Sequence, residues 1–523
     1  MVLVSALLPP AIGAPSRHPT LGPDPFGSRF TRHSSGRVNR RLRRPRRFSL
    51  DTEWVALAAV LLAMVVVRWS WLDFHLDDSY ITYTYARSLA EGQGLTFAGT
   101  RVLGTTTPLY AGMLAALAVF HVPLTVAAKL WGLLGVLAGG ATLYLLTREH
   151  LGRTGALLAV GLLALNGVHA SMSMSGMETG IYTAVCLAAF LAFRRGHPRL
   201  TAALTAAACL LRPDGILLAA ILGIACVWER RSFHRETLFW FVAPLLAWGL
   251  IATLTYGSPV PTSLSAKLAY PDYGPFSLTA AFRAVGERLG LFVLVLGGFG
   301  LMEVQRRARP LLPLVAWTAL YLLAFLRAPN FLWYYVPALP GLIVVGVTGL
   351  ARLARVLPQP AAFPAHWFGH LRRTAAFLVC AALFLTASAD LRDYREFLAR
   401  THGPEVTGTY RGLAEWLKRN TAPEAVIATP EVGYIGYFSG RAILDLAGLC
   451  TPEVIPYLKR RDYAAIVRDF HPDYVALTTE GGRPIHRAIL QSPWFAERYT
   501  ERARFPYRGA AYVIFGRKQF SGE

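Results

Sequence analysis

Charge is what this chain has little of. Asp, Glu, Lys and Arg make up 16% of its 523 residues, against about a quarter in an ordinary soluble domain. The shortfall is mostly acidic: 31 Asp and Glu face 53 Lys and Arg, for a net charge of +22. Cysteine is scarce as well. Cys186, Cys209, Cys226 and Cys380 lie in apolar runs and Cys450 stands alone downstream, which gives neither a metal-ligand spacing nor a disulfide framework. There is no Gly-x-x-x-x-Gly-Lys-Ser/Thr loop and no Rossmann glycine fingerprint, so nucleotide chemistry and ATP-driven pumping have no visible basis. No paired half-sequence repeat stands out, which weighs against a secondary transporter.

Apolar sequence fills the gap: 54% of residues are hydrophobic and the mean hydropathy is +0.38. Eleven apolar segments run from Trp54 to Ser388. They are Trp54–Leu72, Leu124–Leu146, Gly155–Ala170, Ile181–Phe193, Leu200–Leu211, Gly215–Trp228, Thr237–Tyr256, Leu289–Met302, Leu311–Leu326, Phe331–Leu350 and Thr374–Ser388. A polytopic α-helical membrane protein of about eleven spans is expected. The basic residues stand in short clusters between these segments, as cytoplasmic loops do, rather than on a nucleic-acid-binding face. Arg37–Arg47 puts the N-terminus inside. Arg148/Arg153, Arg194/Arg195/Arg199, Arg230/Arg231/Arg235, Arg306/Arg307/Arg309 and Arg352/Arg355/Arg372/Arg373 then recur in alternate loops. Pro108–Val122 breaks the alternation if counted as a span and is read as a re-entrant or interfacial helix, or as part of a longer tilted one.

Three regions follow. Residues 1–50 form a disordered basic cytoplasmic tail, 51–389 the membrane domain with its first outer loop at 73–107, and 390–523 an extracytoplasmic domain. In the last, Tyr410–Arg419 and Asp462–Phe470 read as helices. Val426–Thr429, Ala442–Leu446, Tyr474–Thr478 and Ala511–Phe515 read as strands, and Gly433, Gly436 and Gly440 mark a turn. Alternating short strands and helices predict a small α/β fold.

The chemistry-bearing residues collect on the non-cytoplasmic side. Asp77 and Asp78 open a helical run in which Tyr80, Tyr83 and Arg87 share one face. A pair of acids at the positive end of a helix supplies a general base or a cation ligand, whereas a structural N-cap needs only one, Asp78 or Ser79. Arg212 and Asp214 interrupt an apolar stretch, either as a paired turn or as an anion contact. Glu178 stands at the top of a span, where it caps a helix or meets a substrate. Lys267 and Arg327 are single cations on outer loops; together they would suit a lipid phosphate. Trp333, Tyr334 and Tyr335 suit a lipid or sugar groove or an interfacial aromatic belt. His169 reads as a packed interior residue. A flippase or transporter, and a non-catalytic glycan-binding scaffold, are the rival readings.

Several stretches in order carry a resemblance. They are Leu76-Asp-Asp-Ser-Tyr80, Tyr85-Ala-Arg87, Glu91-Gly-Gln-Gly-Leu95, Gly104-Thr-Thr-Thr-Pro-Leu109, Ser175-Gly-Met-Glu-Thr179 and Arg212-Pro-Asp-Gly215. Tyr256-Gly-Ser-Pro-Val-Pro-Thr262 with Lys267, Phe331–Pro340, Gly433–Gly440 and Leu444–Leu449 continue the set. Together they resemble the bacterial GT-C glycosyltransferases, the mycobacterial terminal β-arabinofuranosyltransferases and their homologues in particular. The long Arg-rich N-terminus departs from that pattern. So does Gly104-Thr-Thr-Thr-Pro108, where relatives often carry a larger residue and Ser.

The resemblance implies a GT-C fold in a bacterial cytoplasmic membrane and a sugar taken from a polyprenyl-phosphate donor. The acceptor is a hydroxyl of a glycan, lipid or protein on the extracytoplasmic face. It also implies an acid of the first outer loop as base. Asp77 is the preferred of the two, with Asp78 orienting the acceptor or a cation. Tyr80, Tyr83, Arg87, Glu178, Arg212, Asp214, Lys267, Arg327, Tyr334 and Tyr335 are the candidate substrate contacts. No cofactor is required, although a divalent cation is compatible with the paired acids.

Overall fold

The computed structural model describes residues 52–229, 235–269, 287–325, 331–356, 365–479 and 484–518. Arg37–Arg47, Arg230, Arg231 and Arg327 lie outside them. The chain divides into two units, 1–55 and 56–523. Apart from the first turn of helix α1 (Thr52–Trp69), everything below concerns the second.

The membrane part is helical. After α1 come α2 (Asp77–Ala90), α3 (Pro108–Ala118), α4 (Leu124–Leu165), α5 (Thr179–Arg194), α6 (Pro198–Leu211) and α7 (Gly215–Trp228). Next are α8 (Arg235–Tyr256), α9 (Thr262–Ala269), α10 (Glu287–Arg307), α11 (Leu312–Ala324), α12 (Leu339–Val356) and α13 (Ala365–His402). Thr52–Trp69, Leu124–Leu165, Arg235–Tyr256 and Leu332–Val356 have the length and composition of membrane spans. The other apolar segments fall on helices in their described parts, but α5, α6, α7 and α11 have only 13 to 16 residues. At 1.5 Å per residue these are shorter than a hydrocarbon core of about 30 Å. Helix α3, with 11 residues, is shorter still, in keeping with an interfacial segment. On α8, Leu246, Leu250 and Leu254 are all more than 60% exposed; a helix that is apolar and uncovered has lipid as its natural solvent.

Helix α4 is a hairpin. Straight, its 42 residues would extend about 63 Å. Yet Lys129, near its start, donates to the carbonyls of Trp71, Phe74 and Met174, while Arg68 donates to Ala164 O at 2.7 Å near its end. Both ends therefore return to the end of α1, and the break is Gly152, with φ 69° and ψ 175°. A side chain resists that left-handed φ. Arg148 and Arg153 flank this turn. Other basic clusters gather around acids: Arg352 lies 3.3 Å and Arg307 3.9 Å from Glu303, which Arg355 also pairs, and Arg194 lies 2.7 Å from Glu149. Helix α5 leads from Glu178 to Arg194 and α6 leads back to Arg212, so the mixed acidic and aromatic loops lie at the opposite helix ends from these clusters.

The last part is an α/β fold. Helix α14 (Pro404–Asn420) precedes β1 (Val426–Thr429), α15 (Val432–Ser439), β2 (Ala442–Asp445), α16 (Tyr463–Phe470), β3 (Tyr474–Thr478), β4 (Tyr499–Tyr507) and β5 (Ala510–Arg517). The sheet order is β2-β1-β3-β5-β4. The first three strands are parallel, and β5 pairs antiparallel with both β3 and β4. Ala428, Leu444, Val475, Leu477, Ile466, Phe495 and Tyr499 form its core. Two expectations change here. The glycine-rich stretch 433–440 is mostly the helix α15, ending at Gly440 with φ 65°, and not a turn. The strand β4 is one the sequence reading lacks.

Candidate functional site

Helix α2 follows directly on the turn that Lys129 ties down, and Leu76 N donates to Ser175 O at 3.1 Å. Its N-cap is Leu76, and no side chain caps it; Ser79 Oγ instead donates to Leu76 O at 2.6 Å. The acids are thus free of the local capping role, and they part company. Asp77 turns to the C-terminal domain, where its two oxygens accept from Gly433 N at 3.0 Å and Tyr434 N at 2.8 Å. It binds the first turn of α15 from outside, a favourable place for a carboxylate. Burial and the nearby Glu431 nevertheless push its pKa up to about 8, with Asp78 adding to the rise and the Tyr434 and Gly433 amides opposing it.

Asp78 is half-buried and makes no hydrogen bond or ion pair among the described residues. It lies within electrostatic range of Lys267 and Cys450. Lys267, on α9, donates to Tyr334 Oη at 3.2 Å and sits 5.8 Å from the centre of that ring. An ammonium has three protons to donate; this one uses a single acceptor among the described residues. Four residues earlier on α9, the hydroxyl of Ser263 is buried without a partner.

Arg212 is differently placed. It is 4% exposed and donates to Glu178 Oε1 at 2.9 Å and to Asp214 at 3.0 and 3.1 Å. Tyr321 donates to the same Asp214, and the rings of Tyr182 and Tyr334 lie 5.3 Å from the guanidinium. Its charge is met by two carboxylates, which makes Glu178, Arg212 and Asp214 a buried ionic frame rather than an open anion contact. Tyr334 joins this frame to Lys267.

The remaining candidates serve the domain junction. Tyr80 stacks near Tyr434 at 4.2 Å between centroids. Arg87 lies 3.8 Å above the Tyr437 ring and donates to Tyr437 O at 3.0 Å. Tyr83 is fully buried, with its hydroxyl 3.2 Å from His75 Nδ1. Tyr335 is buried beside Tyr334. His169 is interior, as expected, and lies 2.6 Å from Arg68 Nη2. The sequence reading passed over Lys129, Ser263 and the Gly433–Tyr434 amides. A lone lysine inside an apolar run was the available signal for the first; a serine on a short outer helix and two backbone amides give none. Among the described residues no three of His, Cys, Asp and Glu converge as a metal-binding group. With both oxygens of Asp77 engaged, the acid pair does not make a cation site by itself.

A domain family of unknown function, DUF8728, matches residues 399–520. No curated protein matches the sequence at a significant level. Among solved structures, ArnT from Cupriavidus metallidurans bound to undecaprenyl phosphate aligns at a TM-score of 0.59 and 14% identity, over 89% of this chain and 98% of that one. Its apo form aligns at 0.60 with the same identity and coverage. The oligosaccharyltransferase of Archaeoglobus fulgidus, in complex with Zn and sulfate, aligns at 0.52 and 13% identity, over 87% of this chain and 72% of that one. The chain therefore has the fold of GT-C membrane glycosyltransferases, as the resemblance in its sequence implies.

Proposed function

We propose that this protein is a membrane glycosyltransferase that moves a sugar from a polyprenyl-phosphate donor to an acceptor hydroxyl at the extracytoplasmic face. The observation that carries the reading is the pairing of Asp78, a carboxylate with no hydrogen-bond partner among the described residues, with Lys267, an ammonium that has acceptor capacity to spare. The fold shared with an ArnT structure that holds undecaprenyl phosphate supports the donor class.

The chemistry needs little more. The acceptor oxygen attacks the anomeric carbon and its proton passes to Asp78. The new carbon–oxygen bond forms as the bond to the phosphate oxygen breaks, and the electron pair leaves with the polyprenyl phosphate. That phosphate gains a negative charge as it departs, and Lys267 is the cation suited to meet it. Asp78 takes the base role in preference to Asp77, because a carboxylate already accepting two backbone N–H groups is a poor receiver of a substrate proton. Arg212, Glu178 and Asp214 hold the frame that orients Tyr334 and hence Lys267.

Asp78→Asn keeps the size of the side chain and removes the base. It should lower transfer by about 10²–10⁴-fold, with membrane insertion and thermal stability close to wild type. Transfer at the wild-type rate in this variant would remove Asp78 from the chemistry.

A further inference from the structure

We infer that the C-terminal α/β domain is a positioning device for the transfer site, one that sets the acid-bearing helix α2 and the cation-bearing helix α9 against each other. The inference rests on the proposal that Asp78 and Lys267 perform the transfer, and it assigns a role to the region matched only by a family of unknown function.

The domain grips α2 along its length. At the start of the helix, the Gly433 and Tyr434 amides clamp both oxygens of Asp77, the residue next to Asp78. One turn on, Tyr80 packs against Tyr434, Tyr437 and Phe438. Near the end, Arg87 covers Tyr437 and bonds its carbonyl. On another face, Ile81 and Tyr85 share an apolar cluster with Phe97, Val102, Val432 and Cys450. The approach is as close as backbone permits: a Cβ added at Gly433 would lie 1.9 Å from Asp77 O.

The same domain holds α9. Thr262, its first residue, donates through Oγ1 to Leu449 O at 2.7 Å and to Leu103 O at 3.1 Å, and through its amide to Leu103 O at 2.8 Å. Ala266, one residue before Lys267, faces Gly448. The two charged groups of the site thus sit on separate helices that are each fastened to one α/β domain. A clamp on Asp77 and a bond at Thr262 leave little freedom in the separation of Asp78 and Lys267. Displacing a catalytic group by about 1 Å costs about 10²-fold in rate.

The test uses the full chain in nanodiscs for hydrogen exchange, and cells lacking the chromosomal gene for activity, read as the pool of polyprenyl-phosphate-linked sugar. Asp77→Ala, which removes both acceptors, should speed exchange of the 432–439 amides by about tenfold or more; unchanged exchange there overturns the clamp. Gly433→Ala keeps the carboxylate but cannot keep the contact. It should speed exchange across 78–90, leave binding of undecaprenyl phosphate within about threefold, and slow transfer by about 10–10²-fold. Faster exchange in α2 with transfer at the wild-type rate overturns the positioning role. Asp78→Asn should abolish transfer with no change in exchange at 432–439. If it transfers normally, the reading of the base fails instead, and the exchange data still judge the clamp.

Discussion

At the scale of single residues, two neighbouring acids have been divided between two tasks. Asp77 and Asp78 were legible as a functional pair because acids directly after an apolar span are costly and seldom idle. Their division was not legible, because the partners of Asp77 lie more than 350 positions away in the chain. Asp77 also gives a pH dependence with a definite sign. Its pKa in the folded protein is raised to about 8, above the ordinary carboxyl value near 3.9. The folded state therefore keeps a proton that the unfolded chain gives up, and this contribution to stability is present in acid and lost as pH rises toward 8. Thermal melts of wild type and Asp77→Asn from pH 5 to 9 should show the wild type losing stability relative to the variant, which cannot titrate. A difference that is constant with pH would contradict the assignment. The two cations separate in the same way. Lys267→Ala should weaken use of the lipid donor by about 1.5–3 kcal/mol, the worth of a charged hydrogen bond. Arg212→Ala should act on folding, since it strands two buried carboxylates at a cost of about 3–5 kcal/mol; normal melting with weak donor binding would return Arg212 to the phosphate.

At the scale of elements, what the sequence revealed was whatever has a local cause. Strands β1 and β3 are short runs of apolar residues and were placed at their observed limits. Arg212 and Asp214 pair across two positions, and the sequence already admitted that turn. Elements with distant causes were hidden. Helix α15 carries Gly433, Gly436 and Gly440 and so looks like a turn, but Gly433 is there to admit the backbone of α2, and only Gly440 ends the helix. Strand β4 runs Tyr-Thr-Glu-Arg-Ala-Arg-Phe-Pro-Tyr, polar on its open side, because it lies at the sheet edge beside β5 alone. The hairpin in α4 was anticipated by the basic residues around Gly152, since a cytoplasmic turn needs both a helix break and an anchor of positive charge. Replacing Gly152 by Val should strain this left-handed turn by about 1–2 kcal/mol, read as a lower melting temperature; an unchanged melt would mean that the turn relaxes elsewhere.

For the whole molecule, the decisive asymmetry is between the two ends of the helices. Arginines with Glu149 or Glu303 stand at one, and the acids, Lys267 and the α/β domain at the other. If the basic end is cytoplasmic, reporter fusions after Arg231, after Lys267 and at the C-terminus should read in, out and out. A cytoplasmic C-terminus would put the transfer site on the wrong side of the membrane for the proposed acceptor. The central claim is that the chain consumes a polyprenyl-phosphate sugar through Asp78. Its most direct test is mass analysis of envelope glycans and of polyprenyl-phosphate-linked sugars in cells without the gene, complemented by wild type or by Asp78→Asn. The account predicts that loss of the gene enlarges one lipid-linked sugar pool and removes that sugar from one envelope component, and that wild type reverses both while Asp78→Asn, inserted at equal level, reverses neither. Full restoration by Asp78→Asn would contradict it.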